Sequence, residues 1–228
     1  MKKIAAIVLA AAVSGANLGA QEGSDYSITM DFPYVTEYVF RGVGLAEESI
    51  QPSIEFATGD FYAGVWTSQP VTGVGVANEF DFYLGYGWAL SETWSVDAGA
   101  AYYYYPELPS GSSTFEPFVG IAGDFGGGFS GSGYFYHDID LEASTFQFDL
   151  AYSFEMTDTS TFDIGGNFGT VSVNGGGDYN YYGMSATLNY ALNDVAGSYL
   201  GVAYADNDIG AGTEDGFVYV IVGLSVGF

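Results

Sequence analysis

The sequence predicts an all-β protein, a transmembrane antiparallel up-and-down β-barrel of about 12 strands. Three observations support this fold class. The N-terminus is ordered like an export signal, apolar side chains alternate with polar or glycine residues through most of the remaining chain, and the 228 residues include 34 Gly, 20 Tyr and 18 Phe but no Cys. A period of two is typical of a strand whose two faces meet different surroundings, and an amphipathic helix cannot produce it.

The N-terminal segment has the features of a secretory signal peptide. Two lysines precede a ten-residue apolar run, Ile4 to Val13, and small residues follow it. Such a run is too short for a spanning helix, which needs about 20 apolar residues. We therefore expect residues 1–20 to be a signal for Sec-type export, cleaved after Ala16 or Ala20, and residues 21–228 to form a single barrel domain.

Twelve segments of the remaining chain alternate in this way. The pattern is clearest in residues 78–90, where apolar side chains occupy the even positions from Phe80 to Trp88 and two acidic residues share the opposite face. A tilted strand needs about 9–11 residues to cross a bilayer, and bacterial barrels have an even number of strands, so counts of about ten or fourteen are the alternatives. The predicted strands are 26–40, 50–58, 61–69, 78–90, 93–105, 114–124, 128–137, 144–156, 160–171, 179–191, 198–205 and 216–228.

The connections between these strands alternate in length. With the first strand running outward from the periplasm, the periplasmic connections are tight, as at 59–60, and the outer ones are longer and more polar, as at 106–113 and 206–216. This asymmetry is typical of outer-membrane barrels. Aromatic clusters at strand ends, such as Tyr102 to Tyr105, predict the two interfacial girdles. The alternative, a soluble β-sandwich, should carry Lys and Glu on its outward faces, which these strands lack.

The C-terminal strand ends on an aromatic residue. Phe228 shares one face with the alternating apolar residues from Val218 to Val226. A terminal aromatic that closes an alternating strand is similar to the assembly signal of outer-membrane barrels. We therefore expect Phe228 to be an assembly signal, and the barrel assembly machinery and outer-membrane lipid to be partners of the chain.

Four motifs stand out in the first half of the chain: Thr36–Gly42, Phe61–Ser68, Glu79–Tyr86 and Tyr103–Pro106, with Tyr38-Val39-Phe40-Arg41-Gly42 as the most specific element. Together they resemble a known family, the TorF-type porins of proteobacteria. The resemblance spans roughly residues 25–106. It implies an outer-membrane barrel of the porin type in a proteobacterium, and it implies neither catalytic residues nor a particular substrate.

The charge balance excludes a nucleic-acid partner. The chain has 28 Asp and Glu against three Lys and Arg, and beyond Lys3 the only Lys or Arg is Arg41. A protein that binds a polyanion needs several basic residues to displace its counterions. Acidic residues that face a narrow lumen would instead attract cations.

The strand register predicts which charged residues line the lumen. We expect Arg41 to pair with lumenal carboxylates, either merely pinning the first loop or acting at the pore constriction. Inward glycines such as Gly85, Gly120 and Gly223 are expected to leave room in the lumen, while inward tyrosines fill some of it. The predicted pore-lining carboxylates are Glu79, Asp81, Asp97, Glu116, Asp149 and Glu155.

The predicted function is a porin-like channel for passive diffusion of small solutes, preferentially cationic or neutral. One alternative is a closed outer-membrane barrel with a structural or surface-interaction role. A weaker one is a hydrolase around His137, but a lone His beside acidic residues lacks the oriented partner that acid–base catalysis needs. We expect no enzyme activity, no cofactor and no metal, since the acidic residues at 206–208 and 214–215 do not have EF-hand spacing.

Overall fold

The structure, a computed structural model, describes residues 25–72, 77–108, 113–210 and 216–228, so the predicted signal peptide lies outside the described residues. Within these ranges, no helix is both long enough and apolar enough to cross a membrane. The strands are Tyr26–Val35 (β1), Tyr38–Phe40 (β2), Val43–Ala46 (β3), Ser49–Ile50 (β4), Ser53–Thr58 (β5), Phe61–Pro70 (β6), Glu79–Ala89 (β7), Trp94–Tyr104 (β8), Ser113–Gly126 (β9), Phe129–Asp138 (β10), Ala143–Thr157 (β11), Ser160–Val173 (β12), Asp178–Asn193 (β13), Ala196–Asn207 (β14) and Phe217–Gly227 (β15).

These strands form a closed antiparallel barrel. From β6 onward each strand pairs with the next, and β15 returns to pair with β1, Ile221–Gly227 lying opposite Thr29–Val35. β4 and β5 lie in line between β1 and β6 and together form one spanning strand. It is interrupted at Gln51 and Pro52, because proline has no backbone N–H to donate to a ladder. The wall therefore has twelve spanning strands, which confirms the predicted fold class and strand count.

The two faces of the wall differ as the alternation predicts. Outward side chains are apolar and exposed, as for Leu84 (53% exposed), Leu150 (69%) and Val218 (71%). Inward side chains at neighbouring positions are buried, as for Glu116 (1%) and Thr145 (0%). A belt of exposed apolar side chains around the whole barrel is the surface that hydrocarbon would cover.

The connections also follow the predicted asymmetry. At the end of the barrel that holds the start of β1, four connections are two-residue turns, at 59–60, 127–128, 158–159 and 194–195. The connections at the other end are longer, and the longest joins β1 to β4. We call these the periplasmic end and the outer end, as the barrel direction predicts.

The first predicted strand is wrong in its second half. The sequence predicts one strand over 26–40, but β1 ends at Val35 and the chain turns into the barrel, where β2 and β3 form a small separate hairpin. Its residues Tyr38 and Val39 pack against a buried cluster on the inner wall that includes Phe217 and Tyr219. Apolar contact with the interior therefore outweighs continued pairing with the wall. We call residues 38–46 the lumenal hairpin.

Candidate functional site

The candidate functional site is the barrel interior, where tyrosine hydroxyls on other strands donate to the inward carboxylates. Each inward position alternates with an outward apolar one, so the period of two delivers both groups to the same face. Glu79 accepts from Tyr38 at 2.9 Å and Tyr105 at 2.8 Å, Asp97 from Tyr62 at 3.0 Å and Tyr134 at 3.2 Å, Glu55 from Tyr83 at 3.2 Å, Glu116 from Tyr103 at 2.9 Å, and Asp31 from Tyr199 at 2.8 Å. Such charge-assisted bonds compensate for part of the cost of removing a carboxylate from water.

Glycine and tyrosine residues pack together across neighbouring strands of the interior. The space that a Cβ would need at Gly85 is taken by the ring of Tyr62, and Gly223 is covered in the same way by Tyr199. Tyr134 likewise lies over Gly120. The expectation that inward glycines leave the lumen open is therefore wrong at these positions, because a missing side chain on one strand admits a ring from the next.

The tip of the lumenal hairpin carries Arg41. Arg41 and Gly42 both have positive φ angles, 49° and 78°, which is the backbone twist of a tight two-residue hairpin turn. Glycine adopts this conformation freely, whereas arginine adopts it at a cost of about 1 kcal/mol or more. The turn directs the guanidinium of Arg41 across the interior toward β9.

Arg41 forms a buried ion pair with Glu116. Its two terminal nitrogens each lie 2.8 Å from a different carboxylate oxygen of Glu116, and the side chains are 11% and 2% exposed. The guanidinium also lies over the rings of Phe40, at 4.7 Å, and Tyr136, at 4.9 Å. Burial acts to lower the pKa of Arg41, but the hydrogen bonds and charge of Glu116 raise it above its ordinary value, so the group stays charged. The predicted pairing of Arg41 with a lumenal carboxylate is confirmed.

Further contacts attach the lumenal hairpin to other parts of the wall. The side-chain amide of Asn207 on β14 donates to the backbone carbonyl of Gly42 at 2.6 Å. The ring of Tyr38 lies 5.5 Å from that of Trp66 on β6. Glu79, which accepts from Tyr38 of the hairpin, also accepts from Tyr105 just beyond the outer end of β8. Burial and the charge of Glu79 raise the pKa of Tyr105, so its hydroxyl stays protonated and can donate. The hairpin thus contacts strands on several sides of the barrel near the outer end.

The predicted pore-lining residues occupy different depths. Glu79, Asp81, Asp97 and Glu116 are all buried in the interior, and Asp81 has one carboxylate oxygen with no hydrogen-bond partner within the described residues. Asp149 is half-buried and accepts from Ser132 and Gln147 on the same wall. Glu155 has the same register but is exposed at the periplasmic end. The structure therefore brings Arg41 and Glu116 together and leaves Glu155 far along the barrel.

Exposure of the inward face changes along β11 and β12. On β11 the inward residues Ser153 and Glu155 are exposed, whereas Thr145, closer to the outer end, is fully buried. On β12 the half-buried Asp163 and Asn167 lie on the periplasmic side of the buried Val171. On these two strands the inward side chains are therefore more exposed in the periplasmic half than in the outer half.

The residues considered for a hydrolase and for a metal site lie outside the candidate site in the barrel interior. The imidazole of His137 points to the outer face of β10, where its Nδ1 lies 3.0 Å from the hydroxyl of Ser144. The carboxylate of Asp208 accepts from the backbone and side chain of Asn180, and these bonds lower its pKa. Among the described residues, no three His, Asp or Glu side chains form a group suited to a metal ion, and residues 214–215 lie outside them.

Sequence reasoning missed the tyrosine donors and the lumenal hairpin. It assigned the clustered tyrosines at strand ends to interfacial girdles and recognised only Tyr103 among them as inward, yet Tyr103 and Tyr181 both point inward and are 4% and 2% exposed. Their odd register within β8 and β13 was the available signal. For the hairpin, the signal was Arg41-Gly42, a pair suited to a tight turn, directly after three apolar or aromatic residues.

This architecture is that of the outer-membrane porins. The fold is similar to that of the KdgM porin, with a TM-score of 0.63 and 12% identity, over 88% of this chain and 99% of that one. It is also similar to the NanC porin, with a TM-score of 0.58 and 12% identity, over 87% and 98%. A third similar structure is the COG4313 outer membrane channel from Pseudomonas putida F1, with a TM-score of 0.57 and 10% identity, over 95% and 100%. At these identities the likeness shows the fold alone.

The chain belongs to a family described as bacterial protein of unknown function (Gcw_chp), whose family model matches residues 19–220. A search among curated proteins finds no match for this chain. The porin-type fold that the sequence motifs imply is thus confirmed, whereas the TorF name is not.

Proposed function

We propose that this protein is a narrow channel of the bacterial outer membrane through which small cationic or neutral solutes diffuse passively. The observation that carries the proposal is the composition of the interior. A closed porin-type barrel encloses carboxylates from several strands, and Arg41 is already neutralised by Glu116. An uncompensated negative interior between low-dielectric walls attracts cations and repels anions.

The location follows from the same features. The exposed apolar belt supports insertion into lipid, and the signal-like residues 1–20 support Sec-type export before insertion by the barrel assembly machinery. Membership of the TorF-type porins is part of this proposal, on the motifs between residues 36 and 106.

Current through single molecules in a planar bilayer tests the proposal. Purified protein in KCl should give discrete openings of small conductance, because inward tyrosines and the lumenal hairpin occupy part of the lumen. In a KCl gradient the reversal potential should have the sign of cation permeation. Anion selectivity would contradict the negative interior, and electrical silence together with no uptake of small solutes by protein-containing vesicles would contradict a channel.

A second candidate is a closed barrel with a structural or surface-interaction role. The specific observation that favours it is the burial of inward tyrosines, among them Tyr62 (3% exposed) and Tyr136 (5%), together with the hairpin across the outer end. A closed barrel would be silent both in the wild type and in variants that release the hairpin.

A further inference from the structure

The lumenal hairpin is not part of the barrel wall. In the described part of the chain its strands pair with each other alone, and its contacts with the wall are made chiefly by side chains. Its tip reaches Glu116 on β9 and Tyr136 on β10, while the Gly42 carbonyl is held from β14 by Asn207. A segment that touches opposite sides of a barrel at one level lies across the opening.

We infer that the lumenal hairpin is a displaceable plug of the outer mouth, and that the Arg41–Glu116 ion pair holds it in place. This inference extends the proposed channel function. Only the expected effect of the plug on transport rests on that function. The displacement of the hairpin itself can be measured whether or not the barrel conducts.

The ion pair is suited to this role because it is buried, bidentate and centred on a strained residue. While Glu116 is charged, the guanidinium of Arg41 has two short hydrogen bonds and two aromatic faces around it. Without that charge, a buried cation is left unpaired, and this is among the most destabilising local changes in a protein. The positive φ of Arg41 adds a backbone cost that the ion pair no longer offsets. Moving the tip toward water outside the barrel removes both the unpaired buried charge and the backbone cost at Arg41.

The remaining attachments differ in kind. Tyr38 to Glu79 and Asn207 to Gly42 are single hydrogen bonds, and a single hydrogen bond adds only modestly to stability because it replaces a bond to water. Both hydrogen bonds help to position the hairpin, but breaking either one leaves no unpaired buried cation. The ion pair is therefore the contact whose loss should favour the displaced state.

Cysteine labelling measures the displacement directly, since the chain has no native Cys. Val39→Cys reports the seated hairpin, because Val39 packs against the inner wall, and Leu45→Cys is the matched control on the same hairpin, because Leu45 is 41% exposed. The probe is a membrane-impermeant maleimide applied to the folded protein in detergent. We expect Glu116→Gln to speed the labelling of Val39→Cys by about tenfold or more, since labelling follows the population of the open form. Leu45→Cys should react at similar rates in both backgrounds.

Three further variants separate the effect of charge from the effect of shape. Arg41→Met combined with Glu116→Gln removes both charges, so labelling of Val39→Cys should return toward the slow wild-type rate. Glu55→Gln removes an inward carboxylate that is bonded to Tyr83 rather than to the hairpin, and should leave labelling unchanged. If Glu116→Gln does not give a folded barrel, Arg41→Lys keeps the charge but loses the bidentate geometry, and should give an intermediate rate.

The outcomes distinguish the plug from the channel. Equal labelling of Val39→Cys in the wild type and in the Glu116→Gln and Arg41→Lys backgrounds would overturn the plug. Faster labelling together with a larger single-channel conductance in Glu116→Gln supports both proposals. Faster labelling with electrical silence in every variant supports the plug and contradicts the channel.

Discussion

At the scale of single residues, the interior is organised by carboxylates that are held by phenolic hydroxyls. Asp97 illustrates the arrangement, since Tyr62 from β6 and Tyr134 from β10 both reach it. A tyrosine brings a donor without a competing positive charge, so it does not neutralise the carboxylate as Arg or Lys would. The charge and the packing of the interior therefore depend on the same tyrosine–carboxylate pairs.

The selectivity of the channel should depend on Glu79 and Asp81. Replacing them with Gln and Asn keeps an oxygen to accept from Tyr38 and Tyr105 but removes the charge, so the reversal potential in a KCl gradient should move toward zero. The selectivity of the wild type should also weaken as salt rises from about 0.01 M to 1 M, because the Debye length falls from about 30 Å to about 3 Å.

The matched control for selectivity is neutralisation of Asp206 and Asp208 at the outer end. Asp206, at the outer end of β14, accepts from Tyr182 and Tyr204 on the outer face of the wall, and Asp208, just beyond β14, accepts from Asn180. Their replacement by Asn should change the reversal potential less. An equal change in both double variants would show that Glu79 and Asp81 do not control the selectivity more than Asp206 and Asp208 do.

Packing between strands should make Gly85 sensitive to substitution and Gly87 tolerant. Both face inward on β7, but a Cβ at Gly85 meets the ring of Tyr62, whereas a Cβ at Gly87 meets nothing within 4 Å. Gly85→Ala should displace Tyr62 from Asp97 and destabilise the barrel by about 1–3 kcal/mol. Gly87→Ala should be neutral within about 0.5 kcal/mol. Urea unfolding followed by tyrosine and tryptophan fluorescence measures both, and equal midpoints would contradict the packing argument.

At the scale of secondary-structure elements, the closing contact joins the two ends of the described chain. β15 pairs with β1, and the backbone N–H and C=O of Phe228 both bond to Ile28, at 2.9 and 3.0 Å. Closure removes the two free sheet edges that hydrocarbon cannot solvate. The last strand therefore completes the wall, and its aromatic side chain is 46% exposed on the outer face.

The role of Phe228 in assembly is open to a direct test. If its side chain is the assembly signal, Phe228→Ser should lower the amount of protein inserted in the outer membrane while leaving export intact. The control is Phe125→Ser, which removes another outward aromatic residue near the periplasmic end, 51% exposed, but not at the terminus. Insertion is measured by membrane fractionation and resistance of the folded barrel to protease. Equal insertion of both variants would show that the terminal position has no special role.

At the scale of the whole molecule, the surface is consistent only with a lipid surrounding or a detergent substitute. Outward residues in the middle of the spanning strands are almost all apolar, whereas His137 and Asp206 lie on the outer face near the outer end, and most acidic residues lie inside or in the connections. An exposed carboxylate in hydrocarbon would cost free energy, whereas in the lumen it meets hydroxyl donors. The same segregation explains how a chain with a formal net charge of −25 can form a membrane barrel.

Location and barrel closure can be tested together. The mature protein should fractionate with outer membranes and need detergent for extraction. It should also migrate differently on gels before and after boiling, because a closed barrel resists detergent unfolding until heated. Recovery as a soluble periplasmic monomer without detergent would contradict the membrane location.

The sequence by itself determined the class of the fold, the number of spanning strands and the inward face of the carboxylates within the predicted strands. The reason is that the period of two is local: it requires only that one side of a strand meet lipid and the other the interior. The register therefore predicts that Glu79, Asp97 and Glu116 face inward, and all three are buried in the interior.

Only the tertiary structure decided what fills the interior. Tyr199 reaches Asp31 across 168 positions of the chain, and Arg41 reaches Glu116 across 75. Such contacts depend on the curvature of the closed wall and on which strands face each other across it, and no local period encodes either. The inward turn after Val35 likewise depends on residues that are distant in sequence. It is stabilised by a buried cluster contributed mainly by β14 and β15, at the other end of the chain.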